Sequence, residues 1–183
     1  TLSGLSQNSR QGDAAVIEVL QKMGAAVTWR NNGLFAAPSA LSGLTIDVSQ
    51  IPDLFPILSV LACAAEGETC LVNASRLLIK ESDRLRAMAV EFTKLGADVE
   101  ECADALRIRG SHGKGLRGTL LSSHGDHRIA MALAVAASLC DGPIVIENPD
   151  VVANSAPDFW REYAERGGCC EMHDEPGADG NGG

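Results

Sequence analysis

A chain of 183 residues, 45% of them hydrophobic, carries enough apolar material for one sizeable core, and with aromatics at only 4% that core is built from Ala, Leu, Val and Ile. The formal net charge of -9 argues against nucleic acid or an anionic membrane as the main partner, although a local cluster of Lys and Arg still attracts a small anion at short range. No apolar stretch has bilayer length, no charged-then-apolar leader opens the chain, and the six cysteines follow no disulfide spacing, so the expectation is a cytoplasmic protein with reduced thiols.

The first periodic segment, "VIEVLQKMGAAV" (16–27), reads as an apolar helix stopped by Gly24 and running into a β-like stretch. "LTIDVSQ" alternates apolar and polar residues, as a half-exposed strand does. From Leu54 to Ala65 no charged residue occurs, which predicts a helix buried on most sides and too short to cross a membrane. In "IKESDRLRAMAVEFTKLGADVE" (79–100), Lys80, Glu81, Asp83 and Arg84 precede an apolar stripe of Leu85, Met88, Phe92 and Leu95 that ends at Gly96. Such a charge run is either a solvated helix start, with the acids favoured by the dipole, or an anion site in which backbone N–H groups are joined by Lys80 and Arg84.

"ALRIRG" is a second alternating strand, and "GSHGKGLRG" has the glycines of a phosphate loop without its GxxxxGK[ST] pattern, so it is read as a hairpin loop. Ile129 to Cys140 forms another charge-free helix, and a last helix is expected from about Pro157 to Glu165. Cys169, Cys170 and His173 in "GGCCEMH" are conceivable metal ligands but read better as an incidental surface feature, and residues 168–183 as a disordered tail.

Self-similarity organises these elements. Residues 16–27 resemble "MAVEFTKLGADV" (88–99), and residues 51–74 parallel 125–149, each with an Asp, an Ala-rich helix, a Gly and a closing strand. The expectation is an α/β domain over residues 1–167 made of two repeats, about 13–74 and 82–149, plus a final helix. Charge-free helices would lie inside and one-sided sheets outside, with Asp53 and Asp126 brought together at the starts of the inner helices. Both aspartates also suit a plain N-cap.

The motifs "NSRQGD", "IPD" before an Ala-rich helix, "KESDRL", "DHRIAM" and "PDFW" follow one another as they do in the 5-enolpyruvylshikimate 3-phosphate synthase family. The resemblance runs from about Asn8 to Arg166, and it implies an inside-out α/β barrel-like fold of βαβαββ-type repeats, the enolpyruvyl transferase fold. It further implies that this chain is the C-terminal part of such an enzyme, with the N-terminal part as its missing partner. The implied reaction moves the enolpyruvyl group of phosphoenolpyruvate to the 5-hydroxyl of shikimate 3-phosphate, with no cofactor, no metal, and no nucleic acid or membrane partner. By the same resemblance Asp53 is the proton acceptor and touches shikimate 3-phosphate, and Glu81 is the proton donor. Lys80 binds shikimate 3-phosphate, and Arg84 and Arg128 clamp phosphoenolpyruvate, a task suited to planar guanidinium groups.

Two positions depart from the family pattern. Arg76 stands where some members have Asn, and Asn154 stands where many have a phosphoenolpyruvate-binding Lys. His127 reads as a helix-start residue, His112 and His124 as solvated loop residues, and Asp83 as an orienting partner of Arg84. Two other readings stand beside the first: a non-catalytic anion-binding domain, and a relative acting on UDP-N-acetylglucosamine, against which "KESDR" and "DHR" together speak.

Overall fold

The computed structural model describes residues 1–30, 33–79 and 82–173. The expected positions of Lys80 and Glu81, and the tail from 174 onward, lie outside the described residues.

Each half of the chain opens on an amphipathic helix. In the first half this is α1 (Val16–Lys22), with Val19 and the following Met23 buried. Its stripe is short because the chain turns at Gly24, whose φ of +95° suits glycine. An antiparallel hairpin follows, β1 (Ala26–Arg30) and β2 (Gly33–Ala37), with Ala26 opposite Ala37. Next come β3 (Thr45–Asp47), a 3-10 turn over Pro52–Leu54, α2 (Phe55–Ala64), and β4 (Glu66–Val72), which lies parallel to β3 with Ile46 opposite Leu71.

The second half repeats this order: α3 (Arg84–Lys94), the antiparallel hairpin β5 (Asp98–Cys102) and β6 (Ala105–Ser111), then β7 (Leu120–Ser122), α4 (His127–Ala136) and β8 (Val145–Glu147). β7 and β8 are again parallel, with Leu121 opposite Ile146. After β4 and after β8 the chain passes through a left-handed residue, Asn73 (φ 59°) and Asn148 (φ 53°), and then a 3-10 turn. The first of these turns leads to α3, and the second leads to α5 (Phe159–Glu165).

β4 also pairs antiparallel with β6, so the central sheet has the order β3-β4-β6-β5 and takes two strands from each half. The hairpin β1–β2 and the pair β7–β8 remain two-stranded among the described residues. In β6 the alternation works as read: Leu106 and Ile108 are fully buried, while Arg107 and Arg109 face out toward Glu100, Glu68 and Asp98. Exposed pairs of this kind add little stability, so the buried face holds the sheet.

That face packs on α2, whose Phe55, Leu58 and Ala62 have no solvent exposure, and α2 packs on α4, whose Ile129 and Leu133 are equally buried. Small side chains let the layers approach closely. A Cβ at Gly110 on β6 would stand 2.2 Å from the Ala62 carbonyl oxygen and 2.3 Å from that of Ala65.

Several local expectations need correction. "GSHGKGLRG" does not close a hairpin, because Gly113 and Gly115 at positive φ turn the chain out of the central sheet, and Arg117 bridges in parallel to Asp141. α3 begins only at Arg84, with Asp83 as its N-cap accepting from the Arg86 N–H at 3.0 Å. Asp83 therefore serves the helix rather than Arg84. α4 ends at Ala136 and continues as a 3-10 turn to Leu139, short of Cys140.

Candidate functional site

The starts of α2, α3 and α4 meet around one guanidinium. Arg84, the first residue of α3, has a side chain with no solvent exposure, and a buried cation demands carboxylate partners. Its Nε donates to Asp126 Oδ2 at 2.7 Å, its Nη2 to Asp126 Oδ1 at 3.4 Å, and its Nη1 to Asp53 Oδ1 at 2.6 Å. Asp126 is as buried as Arg84. It also caps α4 through the Arg128 N–H at 2.9 Å and accepts from the Ser82 hydroxyl at 3.3 Å. Burial pushes the Asp126 carboxyl up, but Arg84 and the N–H groups of Arg128 and Ile129 outweigh it and hold the group below the usual carboxylate range.

Asp53 differs from Asp126 in what it does for its helix. Among the described residues its carboxylate bonds to arginine side chains and the N-cap positions of the 3-10 turn and of α2 are Ile51 and Leu54, so the plain N-cap reading holds for Asp126 and not for Asp53. Its carboxylate bridges two guanidinium groups: Arg84 on one side, and Arg128 Nη2 at 3.4 Å on the other. Arg128 Nη1 also donates to the Asp53 carbonyl oxygen at 3.3 Å and lies 3.6 Å from Asp13 Oδ2. The result is a chain of alternating charge, Asp126, Arg84, Asp53, Arg128 and Asp13, that grades from a sealed end to an open one. Arg84 is closed to solvent, whereas Asp53 and Arg128 keep 34% and 30% of their side-chain surface.

Chemically, the open end offers a carboxylate that can accept a hydrogen bond and a guanidinium that can pair with an anion. The sealed end fixes them in place. Of the residues singled out in the sequence, Asp53, Arg84 and Arg128 are brought together. Arg76 is exposed and donates from Nη1 to the Ser49 carbonyl at 3.0 Å, on the loop that leads to Asp53. Asn154 is exposed at the end of the 3-10 turn Pro149–Asn154, and His127 is the half-buried first residue of α4. Among the described residues, no group of His, Cys, Asp or Glu is arranged to hold a metal ion.

Sequence reasoning missed three members of this region. Asp13 sits in "NSRQGD", but nothing in its spacing points to Arg128, 115 positions on. Glu91 and His124 form the other omission. His124 is exposed, as expected of a loop residue, but its Nε2 also lies 2.7 Å from Oε1 of Glu91, whose side chain is fully buried. A signal for Glu91 was present, since it falls on the apolar stripe of α3 between Met88 and Phe92.

A profile of the family described as EPSP synthase (3-phosphoshikimate 1-carboxyvinyltransferase) matches residues 1–163. The chain belongs to that family. It is 45% identical over 164 residues to the 3-phosphoshikimate 1-carboxyvinyltransferase of Clostridium novyi (strain NT), covering 90% of this chain and 37% of the relative. It is 47% identical over 154 residues to that of Methanococcus vannielii, covering 84% and 35%. The EPSP synthase of Acinetobacter baumannii superposes with a TM-score of 0.83 at 33% identity, over 94% of this chain and 42% of that one. The enolpyruvyl transferase NikO from Streptomyces tendae gives a TM-score of 0.70 at 24% identity, over 83% and 34%, a likeness of fold alone. This EPSP synthase family chain has the enolpyruvyl transferase fold, and it spans well under half the length of the relatives it matches.

Proposed function

We propose that the protein to which this chain belongs transfers the enolpyruvyl group of phosphoenolpyruvate to the 5-hydroxyl of shikimate 3-phosphate, and that this chain supplies one half of the site. The observation that carries the reading is Asp53, held at the start of α2 between Arg84 and Arg128 with a third of its side chain open. The 5-hydroxyl oxygen adds to C2 of phosphoenolpyruvate while C3 gains a proton. C3 then gives up a proton, and phosphate leaves C2. Asp53 takes the hydroxyl proton, and its ionised form is the one an acceptor needs.

Arg128, at the open end, pairs with the carboxylate or phosphate of phosphoenolpyruvate. Arg84 reaches the same anion by exchanging its Asp53 partner for a substrate oxygen, because its side chain otherwise has no surface to offer. Lys80 and Glu81, a few positions before Arg84 in the sequence, serve as the shikimate 3-phosphate ligand and the C3 proton donor. The remaining ligands come from the N-terminal part of the protein, so this chain by itself is expected to bind without turning over. Thiols without disulfide partners fit a cytoplasmic setting, and no helix among the described residues is long and apolar enough to cross a membrane.

The test is phosphate release from shikimate 3-phosphate and phosphoenolpyruvate by the purified chain, alone and mixed with an N-terminal half from a relative. Turnover only in the mixture, abolished by Asp53→Ala, is the expected result. A folded mixture with no release, or release that survives Asp53→Ala, overturns the assignment.

A further inference from the structure

Glu91 is a fully buried carboxylate to which the proposed chemistry assigns no task. When residues 16–27 are aligned with 88–99, its counterpart in the first half is Val19, a core residue of α1. The second half therefore places a charge where the first half buries a methyl-bearing side chain, and burying a carboxylate needs several donors. Glu91 has them. Lys94 Nζ reaches both oxygens at 2.9 and 3.0 Å, the Ser122 N–H donates to Oε2 at 3.0 Å, and His124 Nε2 meets Oε1 at 2.7 Å. Burial pushes the Glu91 carboxyl up, but Lys94, His124 and the Ser122 N–H hold it below its ordinary value. An ionised carboxylate only accepts, so the His124 Nε2 carries the hydrogen.

The two donors from beyond α3 belong to one turn. Ser122 ends β7 and residues 123–126 join it to α4, and in them His124 (φ 52°) and Gly125 (φ 68°) are left-handed in succession. That conformation is costly for a residue with a side chain and persists only where the surroundings over-determine it. Here Ser122 Oγ accepts from the His124 N–H at 3.2 Å, Ser123 Oγ from the Gly125 N–H at 3.3 Å, and Glu91 pins the turn from outside. The next residue is Asp126. Arg84 and Glu91 are seven positions apart on α3, two turns along nearly one stripe. One helix thus grips both ends of the turn, Arg84 at Asp126 and Glu91 at Ser122 and His124.

We propose that Glu91 and His124 are positioning residues. Their hydrogen bond holds the β7–α4 turn so that Asp126 keeps Arg84 sealed and α4 presents Arg128 beside Asp53. As a statement about catalysis this rests on the function proposed above, but the geometry can be tested without turnover.

The experiment follows solvent exchange of the Arg84 Nε–H and the Arg128 backbone N–H by NMR in the 183-residue chain. In His124→Ala both are expected to exchange at least about tenfold faster, while amides inside α2, such as Leu58, keep the parent rate. His124→Gln, whose side-chain amide can still donate to Glu91, is expected to restore near-parent rates. Glu91→Gln guards against a fold lost in the alanine variant: it keeps an acceptor without the charge, and its effect should fall between the two. Unchanged exchange at Arg84 and Arg128 in His124→Ala overturns the proposal, and so does an equal acceleration in α2, which marks a purely structural contact. With a complementing N-terminal half, His124→Ala should raise KM for phosphoenolpyruvate more than it lowers kcat. If the parent mixture does not turn over, the functional reading fails and the exchange result still decides the geometry.

Discussion

Replacing Asp126 separates the two tasks its carboxylate performs. In Asp126→Asn the residue keeps a capping oxygen for the Arg128 N–H but loses the charge opposite Arg84. Removing one partner from a buried pair costs about 3–5 kcal/mol. Because Asp53 still engages Arg84 Nη1 at 2.6 Å, the cation is not left alone, and the expectation lies at the lower end, about 3 kcal/mol. Asp126→Ala removes the cap as well, adding about 1 kcal/mol. The assay is urea unfolding at pH 7 followed by far-ultraviolet circular dichroism. With a slope of about 2 kcal/mol/M, the Asn variant should shift its midpoint down by roughly 1.5 M and the Ala variant by roughly 2 M. An Asn variant within about 0.5 kcal/mol of the parent would refute the idea that Arg84 needs this charge in order to be buried.

Further outcomes follow from the same geometry. Glu91 and Asp126 both have folded-state values below their ordinary ones, so the stability they contribute is present above the unfolded carboxylate range of about 4 and is lost as pH falls through the folded values. Thermal melts from pH 6 down to pH 2 should show a steep loss below about pH 4, shallower in Glu91→Gln. Gly110→Ala drives a methyl into the Ala62 and Ala65 carbonyls and should cost about 2–3 kcal/mol in the same urea assay. Burial pushes the Cys63 thiol up to about 12, so alkylation at pH 8 should label exposed Cys169 and Cys170 first and Cys63 only on unfolding. Asn154→Lys should tighten phosphoenolpyruvate binding by calorimetry in the complemented protein, and unchanged affinity would mean that another cation already fills that role.

What the sequence made legible was whatever repeats or recurs with a period. The stripe Leu85, Met88, Phe92 and Leu95 became the buried face of α3, and the charge-free runs became α2 and α4. Asp53 and Asp126 came together as the paired helix starts implied. The identity of their common partner was not legible from spacing, because Arg84 joins them across 31 and 42 positions. Nor does periodicity say that Arg84 is sealed while Arg128 is open. That depends on how three helix ends pack, not on any one of them. The Glu91–His124 contact was hidden for a related reason: a histidine between Ser and Gly reads as a solvated loop residue, and only the fold turns it toward α3. Asp83 was read as a partner of Arg84 because the two are neighbours in a run of charges, whereas its carboxylate caps α3.

The central sheet has a consequence for how this chain acquires structure. Its four strands come two from each half, and the β4–β6 pairing, Glu66 with Ser111 through Val72 with Ala105, joins segments tens of residues apart. A half by itself retains only strand pairs, and isolated two-stranded ribbons are at best marginal in water. The two halves are therefore expected to form one cooperative folding unit and not two, since the β4–β6 pairing requires closing a long loop between them. A chain cut between the halves should yield two fragments that are each largely unfolded and that regain structure only when mixed.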